Sequence, residues 1–168
     1  MFTGENCQIR RCQKDKIHEI HSLALSIWPG SFAHILSKEQ ISYMMEMMYA
    51  IPVLEKELDR GIAFYILNYE GTDVGYTAIE RIDNTSYKLH KIYLSHKLHG
   101  KGLGKHQLQQ MEQLVKDYGA SALYLNVNRH NAAVNFYKSQ GYEIVKTEDI
   151  SIGNGFWMND FVMAKELK

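Results

Sequence analysis

At 168 residues with 45% apolar side chains, the chain can bury one sizeable core and is too apolar to be disordered. Nineteen basic residues balance nineteen acidic ones, so no global field favours nucleic acid or an anionic membrane surface. No run approaches the roughly 20 apolar residues of a membrane span, and MFTGENCQIRR lacks the apolar stretch of a secretory leader.

A single domain over residues 1–168 is expected, without repeats or linkers. CQIRRC (7–12) reads as a first strand. Its two cysteines, Cys7 and Cys12, fit neither a disulfide framework nor a metal-ligand spacing, and read as reduced thiols of a cytoplasmic protein. Asp15 is placed to N-cap a helix through KIHEIHSLALSIW, with Ile17, Ile20, Leu23 and Ile27 at helical spacing and Pro29-Gly30 as its break. Ser37 followed by Gln40 is a capping-box pattern that opens EQISYMMEMMYA. Pro52 suits the first turn of a short helix, VLEKELDR, which Gly61 stops.

The character then changes. IAFYILNY is aromatic and β-branched, Glu70-Gly71 turns it, DVGYTAIERI is its hairpin partner, and SYKLHKIYL is a third strand in the row. LGKHQLQQMEQLVKDYG is helical, with an apolar stripe of Leu103, Leu108, Met111, Leu114, Val115 and Tyr118 and a Gly119 stop. ALYLNV is a continuous apolar strand, as expected where both faces are covered. AAVNFYKSQG is a short helix; YEIVKTE and FWMNDFVMAKEL are the last strands. The expected fold is an α/β sandwich: one mixed, mostly antiparallel sheet of six to seven strands with helices on both faces.

Between the third strand of the row and the next helix lies LHGKGLGK, with Gly100, Gly102 and Gly104 at alternate positions and Lys101 and Lys105 each following a glycine. A glycine loop entering a helix N-terminus aims backbone amides at an anion. A Walker A loop would end in Gly-Lys-Ser/Thr, but His106 follows Lys105. A dinucleotide fingerprint would be G-x-G-x-x-G on the first strand of its unit; here the spacing is G-x-G-x-G after a later strand. A pyrophosphate loop for an acyl-coenzyme A needs only small residues and free amides. An ordinary glycine turn is the alternative.

KIYLSHKLHGKGLGKHQL resembles motif A of the GNAT superfamily of N-acetyltransferases, whose pattern is a strand of the type I-Y-V/L followed by Q/R-x-x-G-x-G/A. Gly102 and Gly104 match the two small positions, and His99 stands where Gln or Arg is usual. LNVNRHNAAVNFYKSQGYEIV resembles motif B through Phe136, Tyr137, Gly141 and Tyr142, with Asn131 or His130 in the place of the motif's Asn. Within the superfamily, LEKEL, IYL through GLGKH, and DFVMAKEL look like the PaiA-type spermidine/spermine N-acetyltransferases.

The resemblance implies transfer of an acetyl group from acetyl-CoA to a primary amine by direct attack, with no metal. A polyamine or other small amine is the first acceptor expected, and a protein N-terminus or lysine the alternative. A non-catalytic acyl-CoA-binding sensor is a reading of another class. The backbone of Ile92, Tyr93 and Leu94 would hold the pantetheine on a splayed strand, with the Leu94 N–H as candidate oxyanion donor. His99, Gly100, Lys101, Gly102, Leu103, Gly104 and Lys105 would cradle the pyrophosphate, with Asn131 nearby. Tyr137 corresponds to the superfamily tyrosine that faces the CoA sulfur, and would protonate the leaving thiolate. Many relatives carry Glu on the strand before I-Y-V/L; here those positions read Lys88 and His90, which leaves His90, or Glu80 on the adjacent strand, as candidate base.

Other residues carry weaker signals. His18 and His21 lie three apart on a helix without a third ligand, and His96, His99 and His106 read as loop polar residues rather than a metal site. Met44, Met45, Met47 and Met48 form either plain core, a dimer contact or an adaptable wall of the acceptor groove, and Trp28 and Phe32, in the connection between the first two helices, also fall near it. A polyamine site needs carboxylates, and Glu39, Glu46, Glu55 and Glu57 lie in the expected region. A small-molecule amine, no nucleic acid, no membrane and a possible homodimer complete the expectation.

Overall fold

The structure, a computed structural model, describes residues 4–168. Its elements in chain order are β1 (Cys7–Arg11), α1 (His18–Phe32), α2 (Lys38–Tyr49), α3 (Ile51–Asp59), β2 (Ala63–Tyr69), β3 (Thr72–Arg81), β4 (Ser86–Leu94), α4 (Leu103–Asp117), β5 (Ala122–Asn128), α5 (Ala133–Ser139), β6 (Glu143–Gly153) and β7 (Phe156–Glu166). The strands form one seven-stranded sheet in the order β1-β2-β3-β4-β5-β7-β6. Every neighbouring pair is antiparallel except β4 with β5. The α/β sandwich expected from the pattern is the fold observed.

Helices cover both faces. On one, Ile20, Ala24 and Ile27 of α1, Met44 of α2 and Leu54 of α3 pack on Phe64, Ile66, Tyr76 and Ala78. On the other, Leu108, Met111 and Val115 of α4 and Val134 of α5 pack on Tyr65, Leu89, Leu123, Leu125 and Val127. β2 is therefore apolar at successive positions because each side chain alternately meets a different helix layer. β5 is less covered than its sequence implied: Leu123, Leu125 and Val127 are buried, whereas Ala122, Tyr124 and Asn126 are half-buried. Tyr118, expected on the α4 stripe, is 51% exposed.

Local signals mostly act as expected. The Ser37 hydroxyl accepts the Gln40 N–H at 3.1 Å. Glu70 and Gly71, with φ of +50° and +83°, form the two-residue turn between β2 and β3. Cys7 and Cys12 are free and buried.

Two expectations at α1 are corrected. Asp15 lies in a 3₁₀ turn, Lys14–Lys16, and the helix begins after Ile17 without a side-chain cap. Nor does Pro29-Gly30 end α1, which continues to Phe32. An interior proline costs about 3 kcal/mol. Trp28 and Phe32 offset that cost: they are 1% and 7% exposed, their rings 4.5 Å apart, and burying such side chains contributes about 1.5–3 kcal/mol each. Gly30 is there for close approach, since a Cβ would stand 2.9 Å from His96 Nε2. The end of α1 is thus packed against the segment that leads into the glycine loop.

Candidate active site

Where β4 leaves β5, the sheet opens. Their pairing runs from Ser86 opposite Ala122 to Leu89 opposite Leu125 and stops there. The next residue, His90, is a β-bulge: Ile79 faces Leu89 while Ala78 faces Lys91. A bulge bends its strand and increases the twist. Beyond it, Ile92, Tyr93 and Leu94 pair with β3 alone. The Ser95 N–H donates to the Val74 carbonyl at 2.8 Å, which fixes the phase of that ladder. Alternation then turns the peptide groups of Ile92 and Leu94 away from β3, into the opening. His99 Nε2 lies 3.0 Å from the Leu94 carbonyl, which only accepts, so that nitrogen carries the proton.

The glycine loop closes one end of the opening. Gly100 and Gly102 have φ of +78° and +85°, a conformation side chains resist, and Gly102 is the N-cap of α4. The His106 N–H closes the first helical turn on the Gly102 carbonyl, leaving the preceding N–H groups of Leu103, Gly104 and Lys105 without intrahelical partners. The Leu103 side chain is not a ligand group: it is fully buried beside Cys7, Leu67, Val74 and Leu94, and pins the loop to the sheet. A Cβ at Gly104 would meet nothing within 4 Å, so the space in front of the helix is open. Lys105 lines this space, and Lys101 is exposed outside it.

From the loop, a cleft of about 660 Å³ runs through the opening to α1 and α2. Tyr137 lines its middle from α5, 8% exposed, its ring 5.8 Å from that of Tyr142. Burial pushes its ionisation well above the usual range, with Tyr93 adding to the shift, so the hydroxyl stays protonated at neutral pH. The Asn131 Oδ1 accepts the Ala133 N–H at 2.9 Å, which orients Asn131 at the head of α5 and on the cleft wall. His130, the alternative, faces a separate hollow with Arg129 and Trp157.

His90 lines the cleft; Glu80 does not. The two stand side by side, His90 Nε2 3.3 Å from Glu80 Oε2, and Arg60 also reaches that oxygen at 3.3 Å. Burial, then the charges of Lys88 and Lys91, push His90 down to about 4. It is therefore neutral at pH 7.

The acceptor end departs from its expected chemistry. Trp28, Phe32, Met44 and Met48 line it, the first two from within α1 rather than from a connecting segment, and Met45 and Met47 pack against the neighbouring core. None of Glu39, Glu46, Glu55 and Glu57 lines the cleft. Glu57 instead holds buried Lys91, Oε2 to Nζ 2.9 Å. The carboxylate that does line the cleft is Asp160 of β7, 3% exposed, which accepts from Asn126 Nδ2 at 3.3 Å. Burial foremost pushes its pKa up. A sequence signal for it existed: at period 2 it shares a strand face with Phe156, Met158, Val162 and Ala164, an acid on an otherwise apolar face. His21 Nδ1 sits 2.7 Å from the Tyr49 carbonyl, and among the described residues no three His, Cys, Asp or Glu side chains converge as a metal site.

A sheet split, a helix-capping glycine loop and a protonated tyrosine thus meet in one cleft. Residues 32–167 match the family model described as "Acetyltransferase (GNAT) domain", and the chain belongs to that family. It is 30% identical over 156 residues to an uncharacterized N-acetyltransferase of Lactobacillus delbrueckii subsp. lactis, covering 85% of this chain and 90% of that one. It is 25% identical over 165 residues to a spermidine N(1)-acetyltransferase of Thermoplasma acidophilum, covering 95% and 96%. Among solved structures it is similar to the PaiA N-acetyltransferase of that organism in complex with coenzyme A, with a TM-score of 0.79 at 25% identity over 95% of this chain and 98% of that one. The protein is thus an N-acetyltransferase with acetyl-CoA as its co-substrate.

Proposed function

We propose that the protein moves the acetyl group of acetyl-CoA to the primary amine of a small molecule by direct attack, in the cytoplasm. The observation that carries this reading is the Tyr137 hydroxyl: buried, protonated, on the cleft wall, and without a hydrogen bond to any described residue.

In this reading the free amides at the start of α4, helped by the helix dipole and Lys105, hold the pyrophosphate. Lys101 adds charge from outside the cleft. The unpaired β4 edge takes the amides of the pantetheine arm, as a further strand would. The Leu94 N–H, turned into the opening, stabilises charge developing on the thioester oxygen, a contribution of the order of 10²–10³ in rate for such donors. Asn131 orients the arm from the head of α5. The amine enters from the α1–α2 end and is held against the carbonyl carbon, which is where positioning contributes most. The C–N bond forms, the C–S bond breaks, and Tyr137 gives its proton to the thiolate. His90 is neutral and free to relay the amine's proton through water, with Glu80 beside it; at about 4 its affinity for that proton is small.

A polyamine acceptor is the reading that the spermidine-acetylating relative favours. The test is thiol release from acetyl-CoA across a panel of spermidine, spermine, putrescine, lysine and short peptides. Turnover with small amines but not peptides supports the proposal. Peptide turnover alone, or CoA binding with no turnover on any amine, overturns it.

A further inference from the structure

The acceptor end of the cleft holds one charged group to which no role has been given. Asp160 is the one carboxylate among the described residues that line the cleft, and it is 97% buried, being only 3% exposed. Its hydrogen-bond donor, the Asn126 amide, is neutral. That same amide also donates to Glu148 at 3.2 Å, so it is shared between two acids. Lys88 and Arg129 act on Asp160 only through longer-range charge. A carboxylate buried this far without a paired cation is costly. A cation arriving through the cleft would remove that cost.

The walls around it are of another kind. Trp28, Phe32, Met44, Met48 and Met158 are apolar. Polar groups stand there as well: Ser31, His34, and the Trp28 Nε1, which is buried without a hydrogen-bond partner among the described residues, while the Gln40 amide donates to the Trp157 carbonyl at 2.8 Å; none of them is a carboxylate. At the far end stand the glycine loop and Lys105, complementary to anions. The cleft therefore carries its two charge preferences at opposite ends, with a mostly apolar acceptor side on which Asp160 is the one carboxylate among the described lining residues. Asp160 shares this cleft wall with Tyr93 and Tyr137.

We propose that Asp160 receives the ammonium of the entering acceptor, which gives up one proton to water so that the free nitrogen can attack the thioester, and that this acceptor is a primary amine with a single positive charge on an apolar body rather than a polycation. The inference rests on the acetyl-transfer reading above. A polyamine would leave its remaining ammonium groups against tryptophan, phenylalanine and methionine, with no second carboxylate on the cleft wall to meet them. One charge against Asp160, with the hydrocarbon laid on the Trp28–Met48 wall, leaves no second ammonium unpaired. The methionines let that wall adapt to bodies of different shape.

The test compares hexylamine and 2-phenylethylamine with putrescine, spermidine and spermine, using the full chain, acetyl-CoA and thiol release. The monoamines are expected to exceed spermidine in kcat/KM by about tenfold or more. Asp160→Asn should lower kcat/KM for the preferred amine by roughly 10–100-fold, the range of a hydrogen bond to a charged group, while calorimetric affinity for acetyl-CoA is unchanged. Asp160→Glu should recover part of that loss. A wild-type preference for polyamines overturns the inference, as does an Asp160→Asn enzyme with intact amine kinetics or with an equal loss in acetyl-CoA affinity. If Asp160→Asn does not fold, Met48→Glu serves: a second carboxylate on the wall should shift preference toward spermidine, and no shift counts against the proposal. Silence of the wild type on every amine would overturn the small-amine reading above, whereas turnover in favour of polyamines would overturn only this narrower claim.

Discussion

Replacing Glu57 by glutamine should destabilise the protein through Lys91, not through the acceptor site. Lys91 is 6% exposed, and its ammonium has the Glu57 carboxylate at 2.9 Å and the rings of Tyr49 and Phe64 each at 5.5 Å. Burial already lowers the Lys91 pKa, and the Glu57 charge is the largest influence raising it again. Removing one partner of a buried pair costs about 3–5 kcal/mol, because the other charge stays behind. The glutamine oxygen still accepts one hydrogen bond and the rings still face the cation, so the lower end is expected, about 3 kcal/mol. For a chain of this size that is a fall in Tm of about 6–12 °C, read by calorimetry or circular dichroism. The sign with pH follows. The folded-state pKa of Lys91, already lowered in the wild type, falls further in the variant; between those two folded values only the variant gives up the proton on folding, so the defect should shrink as pH rises through that window. The double variant Glu57→Gln/Lys91→Met should recover most of the loss, since no charge remains buried. A single-variant loss under about 1 kcal/mol, or a double variant no more stable than Glu57→Gln, would refute the reasoning.

Other outcomes follow from the same geometry. Tyr137→Phe should reduce kcat by about 10²–10⁴ while leaving acetyl-CoA affinity unchanged, because it removes a proton and no contact with the pyrophosphate. Gly102→Ala forces a side chain to φ +85° at the N-cap of α4; about 1–2 kcal/mol of strain and a KM for acetyl-CoA raised several-fold are expected in thermal melts and steady-state kinetics. His90 is held below its usual 6.5, at about 4, so the unfolded state binds more protons between those values. Stability should rise with pH across that interval and level off above it; His90→Gln should flatten the rise and leave the kcat/KM profile between about pH 7 and 9 unaltered in shape.

Much of this site was legible before any coordinates, for a physical reason. A glycine loop between strand and helix is a local device, and its requirements are written in adjacent residues. Tyr137 likewise sits at a fixed distance from its own helix stop. What escaped was non-local. Glu57 looked like a groove acid because its partner, Lys91, is 34 residues away. His90 shows no bulge in sequence, since a bulge exists only relative to the register of β3. α1 reads through Pro29 because the packing of Trp28 and Phe32 outweighs a local penalty. Asp160 stands alone in an apolar strand, and only the cleft beside it separates a buried recognition group from a solvated edge residue.

The gap between β4 and β5 has one more consequence. The two halves of the sheet are joined by the Ser86–Leu89 ladder with Ala122–Leu125 and by the helices packed on both faces, and beyond Leu89 no ladder between β4 and β5 crosses the gap. The thioester substrate, laid in as the missing strand, would rivet the halves together. Acetyl-CoA should therefore act as a structural member as well as a reactant. Amide exchange at Ile92 and Leu94, whose N–H groups face the gap, should slow when it is bound, even in a variant that cannot react.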